Sequence, residues 1–206
     1  MNSELPSDIW DRFASGDSTS FKKLFEEYYK GLYGYGLKLC SNSELVEDSI
    51  QDIFVSVWER RDELSHIISP NVYLYVSLRR RIFKTLKKTN KLKPIPREGE
   101  EGFSICFGVE EIIIKNEYQE QQKEALKLAL EQLSNQQKEV LFLHYYNGMS
   151  YGEIEEILSI NRQSVRNHVY RAMQTLRSIL NKDVMRLVNS LIIISLLSSF
   201  LIYIGI

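Results

Sequence analysis

The sequence predicts an all-α chain: two small helical modules joined by a flexible linker and followed by an apolar C-terminal helix. Three observations predict it. Apolar side chains recur at spacings of three and four through nearly all of the chain, and no stretch alternates with the period of two that a half-buried strand requires. Only ten Gly and four Pro occur in 206 residues, too few for a turn-rich β architecture. The helical periodicity stops between residues 91 and 118, where KLKPIPREGEEGFSICFGVEE concentrates two Pro and three Gly. The expected organisation is therefore a module over 1–90, a linker over 91–118, a second module over 119–182 and a tail over 183–206.

Each element has its own signal. Phe21, Leu24, Phe25, Tyr28, Leu32 and Tyr35 form one helical stripe. A second helix runs from about Ser43 to Trp58, with Leu45, Val46, Ile50, Ile53, Phe54 and Val57 inward. Pro70 suits the opening of a third, whose stripe is Tyr73, Leu74, Val76, Leu78, Ile82 and Leu86. Helices resume near Glu120 with Leu126, Ala129, Leu130 and Leu133. Ser134 and Gln137 have the spacing of a capping box, and the helix they open is expected to stop at Gly148. Ser150 and Glu153 repeat the box before a short helix with Ile154, Ile157 and Leu158 buried. After a tight turn at 158–160, Asn161 can cap a last helix with Val165, Val169, Ala172, Met173, Leu176 and Ile179 inward.

Composition narrows the function. Hydrophobic residues are 44% and charged residues 26%, the balance of a globular protein and not of a disordered or multi-span membrane chain. Cys40 and Cys106 have neither disulfide-framework nor zinc spacing, and the stretch MNSELPSDIW lacks a secretory apolar run. His66, His144 and His168 stand without Cys or carboxylate partners at metal spacing, and no phosphate loop, nucleophile elbow or HExxH occurs. No enzyme, cofactor or metal is expected. The net charge is −1, yet the signs separate locally. Residues 79–88 carry six basic and no acidic side chains, and residues 157–182 carry five and none. Two basic faces in a neutral chain suit local contacts with a polyanion, although a solvated helix face has the same composition.

The short helix, the tight turn and the longer basic helix describe a helix-turn-helix. Its second helix would present Arg162, Gln163, Ser164, Arg166, Asn167, Tyr170 and Arg171 outward. Arginine can grip guanine bidentately, and asparagine or glutamine can grip adenine. A basic helical hairpin can also dock on a protein.

These residues carry a resemblance. LSNQQKEVLFLHYYNGMSYGEIEEILSINRQSVRNHVYRAMQTLRSIL (133–180) closely resembles the promoter-reading C-terminal domain of extracytoplasmic-function sigma factors, members of the sigma-70 family. SFKKLFEEYYKGLYGYGLKLC and ELVEDSIQDIFVSVWERRDEL look like that family's N-terminal domain, and SPNVYLYVSLRRRIFKTLKK resembles its promoter-melting helix. The subgroup common in Bacteroidetes, related to iron-citrate-type sigma factors, is the nearest in pattern. The resemblance implies region 2-like and region 4-like modules, core RNA polymerase and promoter DNA as partners, and a cytoplasmic site of action with an anti-sigma factor. It implies that Asp48, Gln51, Asp52, Phe54 and Trp58 dock on the clamp helices of the largest polymerase subunit; Phe54 and Trp58 can equally be core. It implies that Asn71, Tyr73, Tyr75, Arg79, Arg80 and Lys84 engage the melted −10 region, with 64–71 forming part of a flipped-base pocket. The melting helix departs from the family at Arg80 and Lys84, where Asn and Asp are usual.

Residues 187–206 contain no charged side chain, and as a helix of about 1.5 Å per residue they would match a bilayer core about 30 Å thick. Lys182 and Arg186 precede them, so insertion would tether both modules on the cytoplasmic side of the inner membrane. An apolar helix packed on protein is the other reading. The functional alternative is a helix-turn-helix regulator that recruits or blocks polymerase without starting transcription; it would carry a sensory first module, of which residues 1–90 bear no signature.

Overall fold

The computed structural model describes residues 6–89 and 120–180, and the chain divides into two compact units. Among the described residues there are eight α-helices and two short helical turns, with no strand. The linker and the apolar tail fall outside the described residues.

The first unit is built from α1 (Pro6–Ala14), α2 (Ser18–Cys40), α3 (Ser43–Glu59), a 3-10 turn (Arg61–Glu63) and α4 (Pro70–Thr89). Helices α2, α3 and α4 pack against one another and α1 closes one end against α2. Asp17 caps α2 by accepting from the Thr19 and Ser20 amides, and the bond from the Ser20 hydroxyl, then these amide bonds, hold its carboxyl below the usual range. At the other end Ser41 takes the left-handed conformation (φ 48°), and Asn42 then caps α3 through the Leu45 amide. The two long helices can approach closely because Gly36 faces Val46: a Cβ there would lie 2.6 Å from a valine methyl. An aromatic spine joins α1, α2 and α3: Trp10–Phe13 at 5.1 Å, Phe13–Phe21 at 5.8 Å, Phe21–Trp58 at 5.0 Å and Phe25–Phe54 at 5.0 Å between ring centroids.

The second unit holds α5 (Glu120–Glu131), α6 (Asn135–Leu141), a π-helical turn (Phe142–Tyr146), α7 (Tyr151–Leu158) and α8 (Arg162–Ile179). Both expected capping boxes form with both bonds present, at Ser134/Gln137 and at Ser150/Glu153. Val140, Leu143, Met149, Ile154, Val165 and Ala172 are sealed from solvent in its core. Because the Ser150 hydroxyl and the Glu153 carboxylate satisfy two otherwise orphaned amides of α7, Ser150→Ala is expected to destabilise this unit by about 1 kcal/mol. Thermal unfolding followed by circular dichroism checks it.

In its helices the structure departs from the sequence reading at α1, Ile179 and Leu158. Helix α1 was not expected, although Trp10 and Phe13 are its largest core contributions at 1% and 0% exposure. Gly148 stops the helix as expected: α6 passes into the π-helical turn, Asn147 is the C-cap, and Gly148 follows it with a positive φ of 69°. Ile179 is 43% exposed, and Leu180, the C-cap residue of α8, is buried in its place. Leu158 is only half-buried.

Candidate nucleic-acid interface

In the second unit, α7 and α8 are joined by a three-residue turn, Ser159 to Asn161. Ser159 adopts the left-handed conformation (φ 53°), the Ile160 amide donates back to the Glu155 carbonyl at 3.2 Å, and the Asn161 side chain caps α8 through the Ser164 amide at 2.8 Å. A turn so short fixes where α8 starts. The apolar stripe Val165, Val169, Ala172, Met173 and Leu176 then sets its rotation. Arg162, Gln163, Arg166, Asn167, Tyr170 and Arg171 are consequently all exposed, Ser164 is half-buried, and no acidic residue shares the helix.

Two contacts pre-arrange this face. Gln163 donates its amide to the Asn167 Oδ1 at 3.1 Å, and Gln174 donates to the Tyr170 hydroxyl at 2.8 Å. Side chains held in one rotamer lose less freedom on binding. His168 sits half-buried on the flank of α8, where burial first and the Arg171 charge second push its imidazole below the ordinary value of 6.5. The folded unit therefore takes up a proton at His168 less readily than the unfolded chain does. The unit is expected to lose stability as the pH falls through about 6.5, and His168→Gln to flatten that loss between pH 7.5 and 5.5 in denaturant titrations.

In the first unit two neighbouring helices present opposite charge. On α3, Glu44, Asp48, Gln51, Asp52, Val55 and Glu59 are exposed at helical spacing, so an acidic stripe surrounds one apolar side chain, Val55, 54% exposed. On α4, Arg80, Arg81, Lys84, Lys87 and Lys88 are exposed. Between the helices runs an open groove of about 280 Å³, lined among others by Ser56, Arg60, Tyr73, Ser77, Arg80 and Lys84. Asp52 and Arg81 stand on either side of it and form an ion pair.

The residues singled out from sequence divide between this surface and the core. Asp48, Gln51 and Asp52 lie on the exposed stripe of α3; Val55, Glu44 and Glu59 complete it and were not anticipated, although their spacing from Asp48 is legible. Phe54, at 4% exposure, is core: its ring packs edge-on against Phe21 and Phe25. Trp58 is half-buried between Phe13 and Phe21, with the Arg61 guanidinium 5.0 Å over its ring. Tyr73 is half-buried, edge-on to Trp10, and lines the groove. Tyr75 is 3% exposed and packs on Tyr35 at 5.3 Å, so it is a core residue and not a platform for bases. Two positions along a helix turn a side chain through about 200°, which is why Tyr73 and Tyr75 cannot share a face. Arg79 lies half-buried along the Phe83 ring at 4.5 Å, and Asn71 is half-buried at the start of α4.

The connection before α4 is tied down at Leu64, whose carbonyl accepts from the buried Trp10 indole at 3.1 Å. Beyond it Ser65 and His66 are exposed and Ile68 stands 99% exposed. The α3–α4 groove is lined by none of residues 64–71.

Comparison with known proteins follows the same division. Residues 24–92 match the family described as Sigma-70 region 2, and residues 123–176 match Sigma-70, region 4. The ECF RNA polymerase sigma factor SigK of Mycobacterium tuberculosis is 20% identical over 182 residues, covering 88% of this chain and 96% of the relative. SigM of Bacillus subtilis, likewise an ECF RNA polymerase sigma factor, is 22% identical over 163 residues, covering 79% and 96%. Two solved structures share the fold. CnrH in complex with the cytosolic domain of CnrY superposes with a TM-score of 0.57 at 16% identity, covering 85% of this chain and 96% of the other. The sigma factor RpoE in complex with the anti-sigma factor NepR, from Bartonella quintana, gives 0.55 at 22% identity, covering 79% and 98%.

Proposed function

The chain belongs to the extracytoplasmic-function group of the sigma-70 family and is an RNA polymerase sigma factor, and from that premise we propose which of its residues carry each step. It binds core polymerase, recognises the −35 and −10 promoter elements and promotes strand separation. The observation that carries the assignment of residues is the separation of charge onto defined faces: an acidic stripe on α3, and exposed bases on α4 and α8.

The exposed residues of α3, namely Asp48, Gln51, Asp52 and Val55, dock on the largest polymerase subunit. Carboxylates around one apolar side chain suit a partner of basic and apolar composition. Arg162, Gln163, Arg166 and Asn167 read base edges of the −35 element from the N-terminal half of α8, while Ser164, Tyr170 and Arg171 hold the flanking backbone. Tyr73, Arg80 and Lys84 follow one another at spacings of seven and four along α4, which supports their capture of the separated strand: the tyrosine stacks and the cations grip phosphates. Arg80 and Lys84 give this helix phosphate grip where the family usually offers Asn and Asp. The protein forms no covalent bond; binding energy is directed into strand separation.

The modules assigned to these steps are 1–90 and 119–182, joined by the linker 91–118. An anti-sigma factor is the proposed regulator. The uncharged stretch 187–206 is proposed as a tether to the inner membrane, with the modules on the cytoplasmic side. Among the described residues no helix is long and apolar enough to cross a membrane, and 187–206 lies outside them.

The test is to mix the full chain with core polymerase and a genomic DNA pool and to sequence the 5′ ends of the transcripts. Discrete starts sharing an upstream motif support the reading. Core binding without initiation would favour the regulator that does not start transcription, and no core binding would overturn the reading.

A further inference from the structure

We propose that Arg81 is a further DNA-phosphate contact of the melting helix, and that Asp52 withholds it until α3 docks on polymerase. The inference rests on the docking reading of α3 given above, and it deepens that reading by linking its two surfaces.

The placement is specific. Asp52 belongs to the acidic stripe of α3, one turn from Asp48, and its carboxylate is ion-paired with the Arg81 guanidinium of α4 across the α3–α4 groove. Arg60, Arg80 and Lys84 line the same groove, with the hydroxyls of Ser56 and Ser77 and the Tyr73 ring. Asp52 is the single acidic side chain among these lining residues. It therefore faces both ways: outward it is part of the surface offered to a basic partner, and sideways it neutralises one cation of the nucleic-acid face. One carboxylate cannot serve two cationic partners fully, so a basic side chain arriving on α3 competes with Arg81 for it.

The exchange is cheap in the direction required. The side chains of Asp52 and Arg81 are 53% and 44% exposed, and an ion pair this open to water contributes little to folding. Breaking it leaves neither charge stranded in a dry interior. Released, Arg81 lies beside Arg80 and near Lys84, so the helix gains a third guanidinium or ammonium group toward a phosphate chain. The arrangement makes strand capture weaker in the free protein than in the holoenzyme, which limits unproductive binding to nucleic acid away from polymerase.

The full chain and a fluorescein-labelled oligodeoxythymidylate test this without any promoter. Asp52→Asn is expected to tighten oligonucleotide binding about fivefold at 0.1 M salt and to steepen the salt dependence by about 0.7, the effect of one added phosphate contact on a single strand. Asp48→Asn removes the same charge one turn away and leaves the ion pair, so its effect is expected to stay below about twofold. In an Arg81→Ala background the Asp52→Asn gain should vanish. Equal gains from Asp48→Asn and Asp52→Asn, or a gain that persists without Arg81, would overturn the gate. Circular dichroism melting of each variant separates these effects from misfolding. Core polymerase separates the two layers: binding that survives the pair Asp48→Lys and Asp52→Lys overturns the docking reading, whereas an unchanged oligonucleotide affinity in Asp52→Asn overturns the gate alone.

Discussion

Replacing Arg162 and Arg166 together by alanine is expected to weaken holoenzyme binding to its −35 element by roughly 30-fold to 10⁴-fold. Each arginine that grips a base edge bidentately is worth about 1–3 kcal/mol of discrimination, and the two together about 2–6 kcal/mol if they act independently. The two sit one turn apart on the same face, so their contributions can couple, and the single variants measured beside the double give that coupling. Both side chains are exposed on the outer face of α8, opposite Val165 and Val169, so folding should change by no more than about 0.5 kcal/mol. Core polymerase binding should survive, because the proposed docking residues lie in the other unit. Fluorescence anisotropy across a salt series and a panel of −35 variants checks the assignment. A loss confined to the correct element marks base reading. A uniform loss with a salt slope shallower by about two marks phosphate contacts at both positions, and would move the reading of sequence to Gln163 and Asn167.

Much of this surface is legible in the amino-acid sequence, for a physical reason. A helix-turn-helix is specified by local chemistry: Ser150 with Glu153, the turn at 158–160 and Asn161 at the next start are short-range signals, and all appear as capped helix ends. The apolar stripe of α8 then fixes which residues face outward. The first unit was less legible because its surface depends on how three long helices are rotated against each other. Phe54 and Val55 are adjacent in sequence, yet one is core and the other stands 54% exposed at the centre of the acidic stripe. The local stripe of α3 already turns Phe54 inward, where the rings of Phe21 and Phe25 receive it; what no local pattern on α4 contains is the Tyr35 ring that takes Tyr75 into the core. Helix α1 has no capping box of the kind that marks the still shorter α6 and α7 in the sequence, although Trp10 anchors the unit through the Leu64 carbonyl. Across both units, long-range packing decided the positions that local chemistry left open.

Tyr73 and Tyr75 supply the sharpest separation between fold and function, since two tyrosines two residues apart should fail in different ways. Tyr75 is 3% exposed against Tyr35, and removing its ring leaves a core cavity. Tyr75→Ala is expected to cost about 3–5 kcal/mol, a large share of the total stability of a small domain. In a unit of this size that lowers the melting temperature by at least about 12 °C. Tyr73 touches Trp10 only edge-on and turns its other side to the α3–α4 groove, so Tyr73→Ala should fold with a smaller loss. Its effect belongs to the open complex: losing one stacking platform is worth about 1–3 kcal/mol, or about 5-fold to 150-fold in the melted population. Calorimetry of the free protein and permanganate reactivity of −10 thymines in the holoenzyme measure the two quantities separately. A Tyr73→Ala variant that melts promoter DNA normally would remove this tyrosine from the strand-capture surface. A Tyr75→Ala variant that folds normally yet cannot open the promoter would mean that α4 turns on its axis when polymerase binds, bringing a core ring out to the DNA.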